Sequence, residues 1–378
     1  MRKMMISKTN RMKSIIAFTL LIMFLFVGGC SGSPAKINTL EPDPDTYKPG
    51  IITMVTFGDA INLIAFGKGE MFVSIEWENA PPDSVVTEWV FSLSEYGTVF
   101  WYTTFTIPVP FPDGVITVKG HITHFDCLGN KLTKLDVSGM LSLLSLNCGY
   151  NSLTVLDVSK NSALRELLCV GNRLTNLDVS NNKLLTDLNC SQNQLSSLDV
   201  TNNVLLELLV CGWNQLTVLD VTNNVLLELL IIGKNNLTNL DVTNNSDLMS
   251  LWIMSNPLTS LDISNNKLLM DLRCVNNYQM VDLYVTNNIL EYVLVNYCQL
   301  DAETLNRLFY SLQDVTHLYP KDNIAIWHNP GEDECDKSIA EAKGWMFITK
   351  ETRYSDHDIE EIIKKYLKHW RNHEKIID

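Results

Sequence analysis

Apolar residues recur along the middle of the chain at an interval of 21 residues. The stretch 188–203 reads LNCSQNQLSSLDVTNN, in which the order apolar, any, apolar, two spacers and Asn occurs twice. The Cys-type slots are Cys127, Cys148, Cys169, Cys190, Cys211, Ile232, Ile253, Cys274 and Val295, and the Val-type slots are Val137, Val158, Val179, Val200, Val221, Val242, Ile263 and, after one extra residue, Val285. Repeats of this kind predict a solenoid of about eight turns, in which each turn buries its apolar edge against its neighbours.

Each half of a turn alternates apolar and polar positions, so we predict a short strand in both halves. Leu188 and Cys190 point inward around Asn189 in one half, and Leu198 and Val200 do so in the other. Asn side chains where the chain leaves the strands can satisfy inward-facing peptide groups. They form two columns: Asn151, Asn172, Asn193, Asn214, Asn235, Asn256 and Asn277, and then Asn161, Asn182, Asn203, Asn224, Asn245 and Asn266.

The regions that flank the solenoid (121–298) have different patterns. Short β-branched and aromatic runs in 50–120 predict a small β-sandwich, which would also cap the first turn because no linker separates the two. Residues 299–350 predict helix, strand, helix and strand, an α/β cap for the other end. The fold class is therefore mostly β. Residues 351–378 predict an amphipathic helix that packs on its own chain or, alternatively, binds a partner or dimerises; its apolar face holds Ile359, Ile362, Ile363, Tyr366, Leu367 and Trp370.

The N-terminus predicts export. Residues 1–29 combine basic residues with the apolar run SIIAFTLLIMFLFVGG, which is typical of a signal peptide, and 30–49 read as a Pro- and Ser-rich tether. Removing the leader takes away five basic residues and changes the formal charge from −14 to 24 − 43 = −19. Nucleic acid and anionic membrane surfaces are therefore poor partners for the protein surface.

The repeat resembles the nested bacterial leucine-rich repeats, sometimes called the IRREKO type, whose turn LxxLxCxxNxLxxLDVxxN is matched by 185–203. The resemblance extends to surface lipoproteins of Bacteroides-like bacteria, in which a PKD-like, immunoglobulin-type module takes the place of 50–120. Val27-Gly28-Gly29-Cys30 is similar to a lipobox, which implies lipidation at Cys30; the alternative is an ordinary signal peptide with a coincidental Cys. The resemblance implies a chain that is lipid-anchored to the cell envelope, at the outer membrane or cell surface.

Sequence motifs for catalysis are missing. The chain contains no HExxH, GxSxG, P-loop or GxGxxG, so we predict a non-catalytic protein without cofactor or metal. The ladder cysteines should pack as stacked thiols, with a metal or redox role as the alternative. The column Asp136, Asp157, Asp178, Asp199, Asp220, Asp241 and Asp262 should be a solvated face, with Ca²⁺ binding as the alternative. Cys298 and Cys335 lie outside the ladder, and a disulfide between them would pin the cap, with two free thiols as the alternative.

Several outward slots on the Cys-bearing strands are apolar, whereas Asn147, Asn189 and Arg273 fill such slots on other turns. Stacked on successive turns, these side chains would form a contiguous apolar patch, which we predict to bind a protein or peptide ligand. The patch residues are Leu208, Val210, Trp213, Leu229, Ile231, Trp252, Met254, Tyr292 and Leu294. One alternative is an accessory protein of a glycan-uptake system, with Trp213, Trp252 and Tyr292 stacking on sugar rings. Another is structural self-assembly through the same patch.

Overall fold

The computed structural model describes most of the repeats and parts of the flanking regions. The described residues are 50–56, 60–76, 88–93, 103–108, 114–286, 288–316 and 324–348. The predicted leader, Cys30, the tether and the amphipathic helix of 351–378 lie outside these ranges, so the predictions made for them stay predictions.

The N-terminal strands continue directly into the solenoid sheet. They are β1 (Gly50–Thr56), β2 (Ala60–Glu76), β3 (Glu88–Leu93), β4 (Thr103–Pro108), β5 (Gly114–Asp126) and β6 (Leu132–Asp136). Strand β2 pairs antiparallel with β3, β4 and β5, and β1 pairs antiparallel with β5 and β6. The two-layer packing that defines a sandwich, and the PKD-like identity, stay predictions.

The end of β5 is the first strand of the solenoid. Its residues His124 to Asp126 pair antiparallel with β2 on one side and parallel with the first repeat strand, β7 (Ser145–Asn147), on the other. The outer edge of the first turn is therefore hydrogen-bonded to a neighbouring strand instead of being open, which protects it from pairing with another chain.

The Cys-bearing halves of the turns form one parallel sheet. After β7 come β8 (Glu166–Leu168), β9 (Asp187–Asn189), β10 (Leu208–Val210), β11 (Leu229–Ile231), β12 (Ser250–Trp252), β14 (Asp271–Arg273) and β16 (Tyr292–Leu294). Up to β14, each residue of a strand pairs with the residue 21 positions later on the next strand. Leu188, Leu209 and Leu230 follow one another in this way. The predicted solenoid of about eight turns is confirmed.

The Val-bearing halves differ from the prediction, because most of them are not strands. Beyond β6, only β13 (Ser260–Asp262) and β15 (Asp282–Tyr284) pair in this half of the described turns. In the other turns the Asp side chain accepts the backbone N–H two residues later, as Asp199 does from Thr201 at 2.9 Å. Asp136 and Asp262, which end β6 and β13, accept the equivalent N–H at 2.9 and 2.8 Å, so this local turn closes the Val-bearing half without deciding whether it forms a strand.

The Asn columns bind the turns together, in two different ways. Asn193 donates to the carbonyls of Cys169 and Cys190 at 3.0 and 3.1 Å and accepts the N–H of Leu174 at 3.0 Å. Asn203, in the second column, donates to Val179 and Asn182, while its Oδ1 has no hydrogen-bond partner among the described residues. Both columns satisfy carbonyls from inside, as predicted.

The ladder cysteines are buried, free thiols, which confirms the packing prediction for them. Burial raises the pKa of the Cys190 thiol to about 12 and raises the pKa of its ladder neighbours as well. At neutral pH these thiols are protonated and behave as small apolar side chains.

An α/β cap follows the last repeat. It contains α1 (Ala302–Ser311), β17 (Ile324–Ala325), which extends the parallel sheet next to β16, and α2 (Ser338–Glu341). Asp301 caps α1 by accepting the N–H of Thr304 at 2.8 Å. The predicted final strand is reduced to a single bridge between Ile324 and Phe347.

The disulfide between Cys298 and Cys335 does not form, since both are free thiols. Cys298 is buried and its Sγ donates to the carbonyl of Cys274 at 3.3 Å, while the Sγ of Cys335 donates to the carbonyl of Glu332 at 3.3 Å. Cys298 therefore takes the slot of the first Asn column, 21 residues after Asn277, while Val295 takes the ladder slot.

Candidate interaction surface

The sheet of the solenoid presents two columns of outward side chains, which we call the strand face. In each three-residue strand the middle residue points inward and the first and third point outward. The first column is His124, Ser145, Glu166, Asp187, Leu208, Leu229, Ser250, Asp271 and Tyr292; the second is Asp126, Asn147, Leu168, Asn189, Val210, Ile231, Trp252, Arg273 and Leu294. The structure therefore brings most of the predicted patch together in two adjacent columns.

The patch is less open than predicted. Leu208, Leu229, Trp252, Tyr292 and Leu294 are buried, whereas Val210, Trp213, Ile231 and Met254 are half-buried. Neighbours within a column lie about 4.8 Å apart, so that each side chain covers the flanks of the next. At the end of the face Tyr292 and Leu294 also pack against Ala325 and Trp327 of the cap. The buried members face outward but are covered by their neighbours, and ligand binding by the patch stays a prediction.

Arg273 organises the apolar end of the strand face. Its guanidinium lies between two aromatic rings, 4.1 Å from the centroid of Trp252 and 4.9 Å from that of Tyr292. Its Nε donates to Asp271 Oδ1 at 3.0 Å, and Trp252 Nε1 donates to Asp271 Oδ2 at 3.0 Å. The buried guanidinium, the carboxylate and the two rings thus stabilise one another.

The same contacts reduce the surface available for a sugar. Arg273 covers one face of Trp252 and one of Tyr292, and Lys234 Nζ lies 5.1 Å from the centroid of Trp213. Trp213 and Lys234 also adopt positive φ values of 52° and 57°, which place them at the tight turn that follows the strands. The three rings proposed to stack on sugars therefore each carry a protein cation.

The opposite end of the strand face is polar and internally hydrogen-bonded. Ser145 Oγ donates to Glu166 Oε2, and Asn147 Nδ2 donates to Asp126 Oδ2 at 2.8 Å. Burial raises the pKa of Glu166 to about 7, with a smaller contribution from the negative charge of Asp187. Burial also raises the pKa of Asp126. Both carboxyls accept hydrogen bonds from neutral donors.

The Asp column forms a series of local turns. Asp199, Asp220 and Asp241 each accept both the N–H and the hydroxyl of the Thr two residues later, at 2.9 and 2.6 Å. Hydrogen bonds from that Thr lower the pKa of all three carboxyls. One oxygen of each carboxylate is thus engaged in its own turn, in agreement with the solvated face. Within the described ranges, no group of three or more His, Cys, Asp or Glu could hold a metal ion.

The sequence analysis missed an exposed apolar stripe on the turns that lead into the strand face. We call it the turn stripe; its members, exposed by 37 to 46%, are Leu184, Val204, Leu205, Val225 and Leu226. They follow the second Asn column on three successive turns, in slots that hold Ser162 and Ala163 before the stripe and Ser246 and Asp247 after it. The detectable signal was an apolar pair in slots that are small or polar on these neighbouring turns.

No protein-family model matches the chain, and no curated protein matches it. Among solved structures, the functional domain of InlJ from Listeria monocytogenes, which includes a cysteine ladder, is 22% identical over 58% of this chain and 72% of that one, with a TM-score of 0.23. Internalin C2 from the same organism is 19% identical over 55% and 80%, with a TM-score of 0.40.

A leucine-rich-repeat protein of Leptospira interrogans is 21% identical over 56% of this chain, with a TM-score of 0.43, and the match spans only 56% of that protein. Because these superpositions are weak, the leucine-rich-repeat fold of this chain rests on its own repeat and strand register. Among the described residues, no helix is both long and apolar enough to cross a membrane.

Proposed function

We propose that this chain is a non-catalytic scaffold that binds a protein or peptide ligand through its repeats. The observation that carries the proposal is the apolar character of outward positions that the fold does not require to be apolar. Val210 and Ile231 occupy the slot in which Asn189 and Arg273 stand on neighbouring turns, and both are half-buried. Inward positions such as Leu209 and Leu230 already supply the core. Apolar side chains outside the core are suited to burial against a partner.

Rigidity favours this use of the surface. Parallel strand pairing and the Asn columns hold successive turns in register, so the half-buried Val210, Trp213, Ile231 and Met254 form a pre-ordered surface. A ligand that binds a pre-ordered surface avoids most of the entropic cost of ordering side chains and loops. Repeat proteins commonly bind partners in this way.

The binding test compares two double variants of the chain from Ser31 onward. Val210→Asn with Ile231→Asn removes the apolar slots of the strand face, and Val155→Asn with Val218→Asn is the matched control because both valines are 72% exposed on the Asp-bearing half. We expect the first variant to lose a partner that is captured from surface extracts and cross-linked to the wild-type chain, and the control to keep it. Equal binding by both variants, or equal loss, would overturn the proposal.

Two other classes of ligand are distinguished with the same proteins. Self-assembly through the patch predicts a concentration-dependent mass in light scattering, which the Val210→Asn/Ile231→Asn variant would abolish. Glycan binding predicts an affinity for oligosaccharides that depends on the rings of Trp213, Trp252 and Tyr292. Because Lys234 and Arg273 cover one face of these rings, we expect the wild-type chain to bind no oligosaccharide. We also expect its mass to stay constant with concentration, because the proposed ligand is another protein.

The proposed location is the cell envelope, with a lipid on Cys30 as the anchor. Its support is the leader in 1–29 and the Val27-Gly28-Gly29-Cys30 sequence. Metabolic labelling with an alkyne fatty acid should mark the wild-type chain in the membrane fraction, and Cys30→Ala should be unlabelled. Continued labelling of Cys30→Ala would contradict the lipobox, and a labelled but soluble wild-type chain would contradict the anchor.

A further inference from the structure

The turn stripe is an exposed apolar surface that neither the fold nor the strand face uses. Leu205 and Leu226 stand at equivalent positions of successive turns and remain 37 and 38% exposed, while the next residues, Leu206 and Leu227, are fully buried in the core. Ser162, on the turn before the stripe, and Ser246, on the turn after it, occupy the slot that directly precedes the Leu205 and Leu226 position. The solenoid therefore accepts a small polar residue in that slot. The stripe is therefore bounded at both ends and is not a general property of the repeat.

Acidic side chains predominate beside the turn stripe, although the exposed Lys183 takes the first slot of the Leu184 turn. Residues 184–233 contain no Lys, Arg or His, and their charged residues are Asp187, Asp199, Glu207, Asp220 and Glu228. The aspartates at 199 and 220 are exposed and have pKa values lowered by hydrogen bonds from Thr201 and Thr222, so they are ionised at neutral pH. Of the acidic residues that follow the apolar pairs, Glu207 is half-buried and Glu228 is buried, so the exposed acidic row beside the stripe is that of Asp199 and Asp220.

We propose that the turn stripe docks a basic, amphipathic helical segment of a protein partner. The stripe offers an apolar pair on two turns and Leu184 on a third, at a repeat of about 4.8 Å, close to the 5.4 Å pitch of an α-helix, so that a helix lying along the solenoid can place one apolar side chain on each turn. Lys or Arg beside that apolar face would meet the exposed Asp199 and Asp220. The inference rests on the proposed protein-binding function and specifies the chemistry of the partner.

Binding is measured by fluorescence anisotropy with a labelled helical peptide of Leu and Lys that has one apolar face. The variant Leu205→Ser/Leu226→Ser should bind this peptide at least about tenfold more weakly than the wild-type chain, because two apolar contacts are lost. The control Val155→Ser/Val218→Ser should bind as the wild-type chain does. Raising the salt concentration should weaken binding to the wild-type chain, as expected for charge complementarity.

Three results would overturn the inference. The first is that a peptide with the same composition but no apolar face binds the wild-type chain as tightly as the amphipathic peptide does. The second is that a Leu and Glu peptide binds as tightly as the Leu and Lys peptide. The third is that the two serine variants weaken peptide binding to the same extent. Failure here is separable from failure of the proposed function. If the Val210→Asn/Ile231→Asn variant still loses its captured partner while the Leu and Lys peptide ignores the turn stripe, the scaffold function stands and only this docking site falls.

Discussion

The two ends of the strand face use the same backbone for opposite purposes. Between β7 and β9 the outward side chains are polar apart from Leu168, whereas from β10 onward they are mainly aliphatic and aromatic. The inward residues hardly change between the ends: Leu167, Leu188, Leu209 and Leu230 are all fully buried. Inward positions therefore preserve the fold, and outward positions are free to diverge for binding.

The polar exception at the apolar end shows how strongly the environment determines the role of a residue. Arg273 is 2% exposed, yet its charge is matched by Asp271 and its faces by two aromatic rings. Glu166 at the other end is held by the hydroxyl of Ser145 and has no such cation. The apolar end thus tolerates a buried charge because that charge is paired, whereas burial at the polar end raises the pKa of the Glu166 carboxyl to about 7, so that about half of it is protonated at pH 7.

Breaking the Arg273 cluster should give the largest change. Asp271→Ala leaves the guanidinium buried without its carboxylate and removes the acceptor of Trp252 Nε1. We expect the free energy of unfolding to fall by about 3 to 5 kcal/mol. Urea denaturation checks this, with Asp262→Asn as the control, because Asp262 is exposed and an Asn there can still accept the N–H of Ser264. An Asp271→Ala variant as stable as the control would refute a buried ion pair.

The polar end should make the stability of the chain depend on pH. The pKa of Glu166 is raised in the folded state, so the folded chain holds its proton more tightly and stability falls as pH rises from 4.5 to about 7. We expect this loss to be about 2 kcal/mol, below the full value of the shift because the side chain is partly exposed. Glu166→Gln should remove that slope in denaturation at a series of pH values.

Asp178→Asn is the matched control for the pH experiment. Hydrogen bonds from Ser180 lower the pKa of Asp178 from 3.8, so it titrates below the window in which Glu166 acts. Asp178→Asn should therefore leave the slope between pH 4.5 and 7 unchanged. If Glu166→Gln and Asp178→Asn have the same profile as the wild-type chain, the carboxyl of Glu166 is not raised by burial.

The sequence predicted those parts of the structure that depend only on the 21-residue period of the repeat. Leu188, Cys190 and Asn193 have roles that follow from their slot, because each turn repeats the same inward contacts. The burial of Trp252 could not be read in this way, since it depends on an Arg one turn later and a Tyr on the turn after that. The strand expected around Val200 is absent although Asp199 makes the same local turn as Asp262 at the end of β13, so that turn does not account for the difference. Cys298 stands 21 residues after Asn277 in the first Asn column, and its thiol donates to the carbonyl of Cys274 as the amide of Asn277 donates to that of Ile253.

Converting the apolar end into the polar one should have the smallest effect on stability. Asn189, Val210 and Ile231 follow one another in register, so Val210→Asn with Ile231→Asn extends an existing Asn position by two turns. Both valine and isoleucine are half-buried, and the new amides can still reach water, so we expect a loss of only about 1 kcal/mol. Thermal unfolding should then show a shift of a few degrees. A loss as large as that of Asp271→Ala would mean that these side chains belong to the core, and the strand face would no longer qualify as a binding surface.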